Sequence, residues 1–159
     1  MRKIFTITLI SIIFSTGLIA AEKSADEHLK ALSSGTDEEK IAACVYFGKE
    51  VKKGKDALPQ IIALLKATDN SKVAVSAAVA LGYIKEKGPS TKALKEKIMS
   101  ETDSNIVYAC LLGIYNIEVA NEVLEDDARA ALEYADIHHR QNEFVADAID
   151  KIKKRAKKS

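Results

Sequence analysis

The chain has 159 residues, of which 47% are hydrophobic and 30% charged, with 24 basic against 23 acidic side chains. That is the composition of an ordered, soluble protein, long enough for one core or a short repeat array, and it argues against a disordered chain. The absence of Trp, aromatics at 6% and only two prolines and seven glycines leave an apolar content of mainly Ala, Ile, Leu and Val, which argues for close-packed helices and against a β-sandwich.

Taken from its beginning, the chain opens with Arg2 and Lys3, followed by the uncharged run "IFTITLISIIFSTGLIA". Ala20 and Ala21 then precede the polar "EKSADEH". A basic start, an apolar middle and small residues at the junction are the layout of a secretory signal peptide over residues 1–21. An uncleaved anchor is the alternative, although the run has about 17 residues where a span needs about 20. No cysteine stands near the junction to take a lipid. The expectation is an exported protein, periplasmic or secreted after cleavage.

From Glu22 onward apolar residues recur at helical spacing, with no sustained alternation of strand type, so the reading is all-α. "LSSGTDEE", "ATDNSK", "EKGPSTK" and "SETDSN" interrupt the helical runs in turn. Sliding the sequence along itself until Gly48 falls on Gly82 also brings Gly54 onto Gly88, Thr68 onto Thr102 and Asp69 onto Asp103. The same step aligns Leu64, Ile98 and Leu132, and a step shorter by one sets Leu81 on Ile114 and Ile84 on Ile117. A period of about 33–34 residues with two helices per unit is the signature of a helical solenoid. Within the unit, Asp69 and Asp103 are expected to cap second helices. Ala77, Ala78 and Ala80 should let a neighbouring helix approach to about 8–10 Å. Val73, Leu81 and Ile84 should form the core stripe. Gly54 and Gly88 fall in the turns between units, where a left-handed conformation is cheap for glycine.

The unit "LPQIIALLKATDNSKVAVSAAVALGYI", Leu58 to Ile84, resembles the HEAT repeat in its short bacterial form. Its first helix opens near Pro59. Asp69, Val73, Ala77-Ala78, Ala80-Leu81-Gly82 and Ile84 then follow in the repeat's order. The third unit has Cys110-Leu111 for the alanine pair and Gly113-Ile114-Tyr115 for Ala-Leu-Gly; the fourth lacks the glycine and places Asp136 one position early. The resemblance implies a right-handed α-solenoid of about four helix pairs over residues 22–150. The remaining segment, 151–159, is a basic tail with six positive charges; without it the mature body has 16 basic against 23 acidic residues.

Few residues carry candidate chemistry. Asp136, His138, His139 and Glu143 in "DIHHRQNE" are metal-ligand types, but adjacent histidines on a turn rarely converge on one ion, so a solvated turn between helices is preferred and no metal or cofactor is expected. Cys44 and Cys110 take alanine-pair positions two units apart, roughly 16–20 Å at the usual helix spacing, too far for a disulfide. Two buried free thiols are expected, and no histidine is placed to activate either. Acidic residues gather in the loops inside units and lysines (Lys49, Lys52, Lys53, Lys55, Lys85, Lys87) in the turns between them.

The functional candidate is an apolar row on the second helices, off the core face: Ile41 and Val45, then Val75, Val79 and Tyr83, then Tyr108 and Leu112, ending at Glu143 and Asp147. Two readings stay open: the row packs neighbouring helices together, or it lies exposed. HEAT-like repeats imply the second, since their second helices line a concave face that binds partners. The expectation is a non-catalytic adaptor, scaffold or inhibitor that binds a protein or peptide and no nucleic acid. One alternative is docking on an anionic envelope surface through the basic tail. Another is a lyase-type accessory enzyme, since some HEAT-like proteins are bilin lyases, though no catalytic residues for it are present.

Overall fold

The computed structural model describes residues 23–118 and 124–156; the leader over 1–21 and the last three residues of the basic tail lie outside them. The described residues form nine α-helices and no strand: α1 (Ala25–Ser34), α2 (Asp37–Lys49), α3 (Val51–Asp56), α4 (Leu58–Ala67), α5 (Ser71–Ile84), α6 (Pro89–Ser100), α7 (Ser104–Glu118), α8 (Asp126–His138) and α9 (Glu143–Ala156). The all-α expectation holds.

Local chemistry explains where the helices begin. Ser24 and Thr36 each open a capping box, in which the hydroxyl accepts from the backbone N–H three residues on while Glu27 or Glu39 accepts from the cap's own N–H. Pro59 and Pro89 stand in the first turns of α4 and α6, where a missing N–H costs nothing. Asn70 caps α5, accepting from the N–H groups of Lys72 and Val73, and Asp103 accepts from that of Asn105 at 2.8 Å. Asn142 does the same for α9, accepting from Phe144 and Val145. The cap of α5 is therefore Asn70 and not Asp69. Thr36, Asn70 and Asp103 open successive second helices at the period of the sequence.

Helices α1, α4, α6 and α8 contact one another in that order, as do α2, α5, α7 and α9, so the chain builds two layers with the core between them. Contacts at near-constant sequence offset show that the second helices run parallel. Near their N-termini the Asn70 amide donates to Asp37 at 2.7 Å and the Ser71 hydroxyl to Asp103 at 2.7 Å. The Ser71 bond, with that from Asn105, holds the Asp103 carboxyl below its usual range. In the other layer the Thr91 hydroxyl donates to Glu125 at 2.7 Å, and Tyr134 to the Met99 carbonyl at 3.1 Å.

The core is the expected one: Val73, Ala77, Ala78, Ala80, Leu81 and Ile84 are all buried, as are Ile114 and Ile117 of α7. Both cysteines are free and buried, and burial pushes each thiol up to about 12. Gly88 has a left-handed φ of 71°, as its turn position requires. Gly54 does not follow it. It lies within α3, where an added Cβ would run into the Phe47 carbonyl oxygen and sit 2.8 Å from Ile84 Cγ1, so it is small for packing.

One further expectation changes. "DIHHRQNE" is a turn only from residue 139, because Asp136 to His138 belong to α8. His139 is buried, and Asp136 sits between Arg140 and Lys153, both of which donate to it. Helix α9 continues to Ala156, so much of the basic segment is helical, with Ile152 buried against the core. Lys151 and Lys153 are held by Asp147 and Asp136.

Candidate functional site

The second helices expose one face apiece, and the caps place their residues in register. The sixth, ninth and thirteenth positions after the cap are Ala42, Val45 and Lys49 on α2, and Ser76, Val79 and Tyr83 on α5. The ninth positions on α7 and α9 are Leu112 and Lys151. Counted this way, the row ends at Asp147 and Lys151, which form an ion pair. Glu143 is instead the first residue of α9. The polar end of the row is real, but its members shift by one helical turn. The cause is a late start: the second helix of the fourth unit is capped at Asn142, beyond the position one period after Asp103.

Four of the seven row residues meet in one place. Val45 of α2 and Val75, Val79 and Tyr83 of α5 line an open groove of about 560 Å³. Its floor is completed by Cys44, Gly48 and Ala80, and its end by Lys49 and Val51. The exposures are those of a surface: Val45 is 48% exposed, Val79 36% and Tyr83 56%. The other three lie elsewhere. Ile41 is half-buried against the core, and Tyr108 packs edge-on against Phe144 with ring centroids 6.3 Å apart. Leu112 is half-buried on α7, outside the groove.

Why the groove opens between α2 and α5 follows from two pairs of small residues. Where α5 meets α7, an added Cβ on Gly82 would lie 2.7 Å from the Gly113 Cα, so the two backbones are nearly in contact. Where α2 meets α5, an added Cβ on Gly48 would lie 3.5 Å from the Ala80 Cα, an ordinary contact. The α5–α7 seam is closed and the α2–α5 seam is the looser one. Valines at 45, 75 and 79 are too short to fill it.

The end of the groove at Lys49 and Tyr83 is where two basic stretches of the chain begin, 49–56 and 85–87, which hold six lysines (Lys49, Lys52, Lys53, Lys55, Lys85, Lys87) and three acids (Glu50, Asp56, Glu86). Glu50 faces Lys53 at 3.7 Å and Glu86 is held by Lys55 at 2.8 Å. Lys53 also donates to the Tyr46 hydroxyl at 2.8 Å, which raises its pKa. Lys49, Lys52, Lys85 and Lys87 make no ion pair among the described residues. Besides the small residues Cys44, Gly48, Ser76 and Ala80, the groove residues missing from the sequence-based row are Lys49 and Val51. Lys49 could have been found as the next helical step after Val45; Val51 comes from the short α3, which periodicity does not reveal.

This arrangement supplies apolar contact bounded by fixed positive charge. No carboxylate or imidazole lines the groove, and a Cys44 thiol pushed to about 12 is protonated at neutral pH and a poor nucleophile. Among the described residues no three His, Cys, Asp or Glu side chains converge as a metal site, and no helix is long and apolar enough to cross a membrane. Comparison with protein-family models, with curated proteins and with solved structures found no match to this chain.

Proposed function

We propose that the chain is an exported, non-catalytic, HEAT-like repeat protein that binds a protein or peptide partner across the exposed face of its second helices. Two features support an α-solenoid of about four helix pairs, which the repeat resemblance makes right-handed: each layer of helices stacks in chain order, and polar rungs link neighbours at offsets close to the repeat period. The observation that carries the binding role is the convergence of Val45, Val75, Val79 and Tyr83 on a single open groove. Burying the exposed part of such a side chain against a partner contributes about 1 kcal/mol, roughly half the value for a fully exposed one, which is why an unfilled apolar groove favours a ligand. The alternative, docking through the basic tail, has less in its favour, because Lys151 and Lys153 are engaged by acids and Ile152 is buried.

The test is crosslinking and affinity capture by the mature protein from its native envelope fraction. A defined partner should be captured by the wild type and lost with Val79→Asp or Tyr83→Ala, while circular dichroism shows the variants folded. Unchanged capture by both folded variants would remove the groove from the function. Loss of capture on reversing the charges of Lys154 and Arg155 alone would favour the tail.

A further inference from the structure

Resting on that reading, the geometry points to an acidic amphipathic helix as the occupant of the α2–α5 groove: a segment of the partner that seats about two turns of apolar residues between Val45 and Val79 and sets acidic residues against Lys49 and its neighbours. Length is the first argument. The stretch of α5 from Val75 to Tyr83 spans about 12 Å of helix. Anchors at i, i+4 and i+7 of a docked helix cover about 10 Å, so two or three side chains fill the groove. An extended strand would find no sheet edge to pair with here, and its alternating side chains would put half of its apolar residues outward.

Charge is the second argument. Over residues 22–150 the chain is acidic, with 16 basic against 23 acidic residues, yet the groove ends in the lysine-rich corner. The two glutamates of that corner that make ion pairs use Lys53 and Lys55; Lys49, Lys52, Lys85 and Lys87 make none among the described residues, against one remaining acid, Asp56. Lys49 is itself part of the groove wall, beside the exposed Tyr83. At the other end Lys72 stands one turn before Val75 on the exposed side of α5, again without an ion pair among the described residues. On α2 the position that matches Lys72 is the exposed Glu38, so the positive excess lies at the Lys49 end: a ligand helix with glutamates or aspartates there meets attraction, and a basic one meets repulsion.

The probe is a labelled model helix with leucines at i, i+4 and i+7 and glutamates on the remaining face, compared by fluorescence anisotropy with the same peptide carrying lysines. The acidic peptide should bind about tenfold more tightly, as two or three exposed charge pairs would supply, and the preference should shrink at high salt. Val79→Asp should abolish binding, and Lys49→Glu with Lys52→Glu, both at exposed positions that leave the core untouched, should cancel or reverse the preference. Equal binding of the two peptides, an unchanged preference in the lysine variant, or binding of oleate and anionic vesicles without the acidic peptide would each overturn the inference. The outcomes separate it from the broader function. If envelope capture still depends on Val79 while neither peptide binds, the helix is wrong and the binding face stands; if capture ignores Val79, the binding face itself falls.

Discussion

The two seams on either side of α5 are built from similar parts and end in opposite states. Toward α7, Gly82 meets Gly113 and the helices close until backbone touches backbone. Toward α2, Gly48 meets Ala80, and an added Cβ there would find only ordinary contacts, the nearest at 3.5 Å. Small residues therefore do not by themselves mean a sealed interface. A glycine opposite a glycine seals it, while a glycine opposite an alanine, flanked by valines, leaves a groove.

The comparison can be broken most severely at the helix both seams share. Leu81→Ala removes a fully buried side chain of α5 and should cost about 2–5 kcal/mol in urea denaturation, whereas Val79→Ala on its exposed face should cost about 1 kcal/mol or less. Equal losses would mean that the groove face is core after all.

The glycines give the sharper contrast. Gly82→Ala forces a Cβ against the Gly113 backbone and should destabilise by about 1–3 kcal/mol, despite alanine's better helix propensity. Gly48→Ala meets only ordinary contacts and should be neutral or stabilise by up to about 1 kcal/mol. The opposite order of midpoints would invalidate the assignment of the closed and open seams.

The thiols extend the contrast to alkaline pH. Each is protonated in the fold up to about 12, while its ordinary value is 9.0, so above pH 9 the unfolded state loses protons that the folded state keeps. Stability should then fall as pH rises from 9 toward 12, by up to about 1.4 kcal/mol per pH unit for each thiol, and a Cys44→Ala, Cys110→Ala variant should flatten that slope. With a thiol-labelling reagent at neutral pH, Cys44 beneath the open groove should react before Cys110 of α7. The smallest effect belongs to the rungs. Asp103→Ala removes the α7 cap and the acceptor of Ser71 and should cost about 1 kcal/mol. Since this carboxyl is held below its usual range, the contribution it removes is one that disappears as pH falls through that depressed value.

Much of this was legible in one dimension. Period, helix pairing and the inward set Val73, Ala77, Leu81 and Ile84 follow from apolar spacing, because a side chain's face on a helix depends only on its position along it. The caps were legible to within one residue. Asp69 and Asn70 are both good caps, and which one serves depends on where the helix axis is placed by its neighbours. The row of exposed apolar residues was visible too, but its division was not. Tyr108 left it by packing on Phe144, which belongs to the next second helix. The row's polar end moved because the fourth unit has a longer stride.

Sequence alone determined that this chain is helical, that it repeats with a period of about 33–34 residues, and which residues turn inward, since those properties come from short-range periodicity. Only the tertiary structure decided that Gly82 finds a glycine and Gly48 an alanine, that Lys49 stands at the end of the resulting groove, and that Gly54 is small for the Phe47 carbonyl and Ile84 rather than for a turn. Those outcomes depend on the distance between two helices, and that distance is set by pairs of residues that no local pattern brings together.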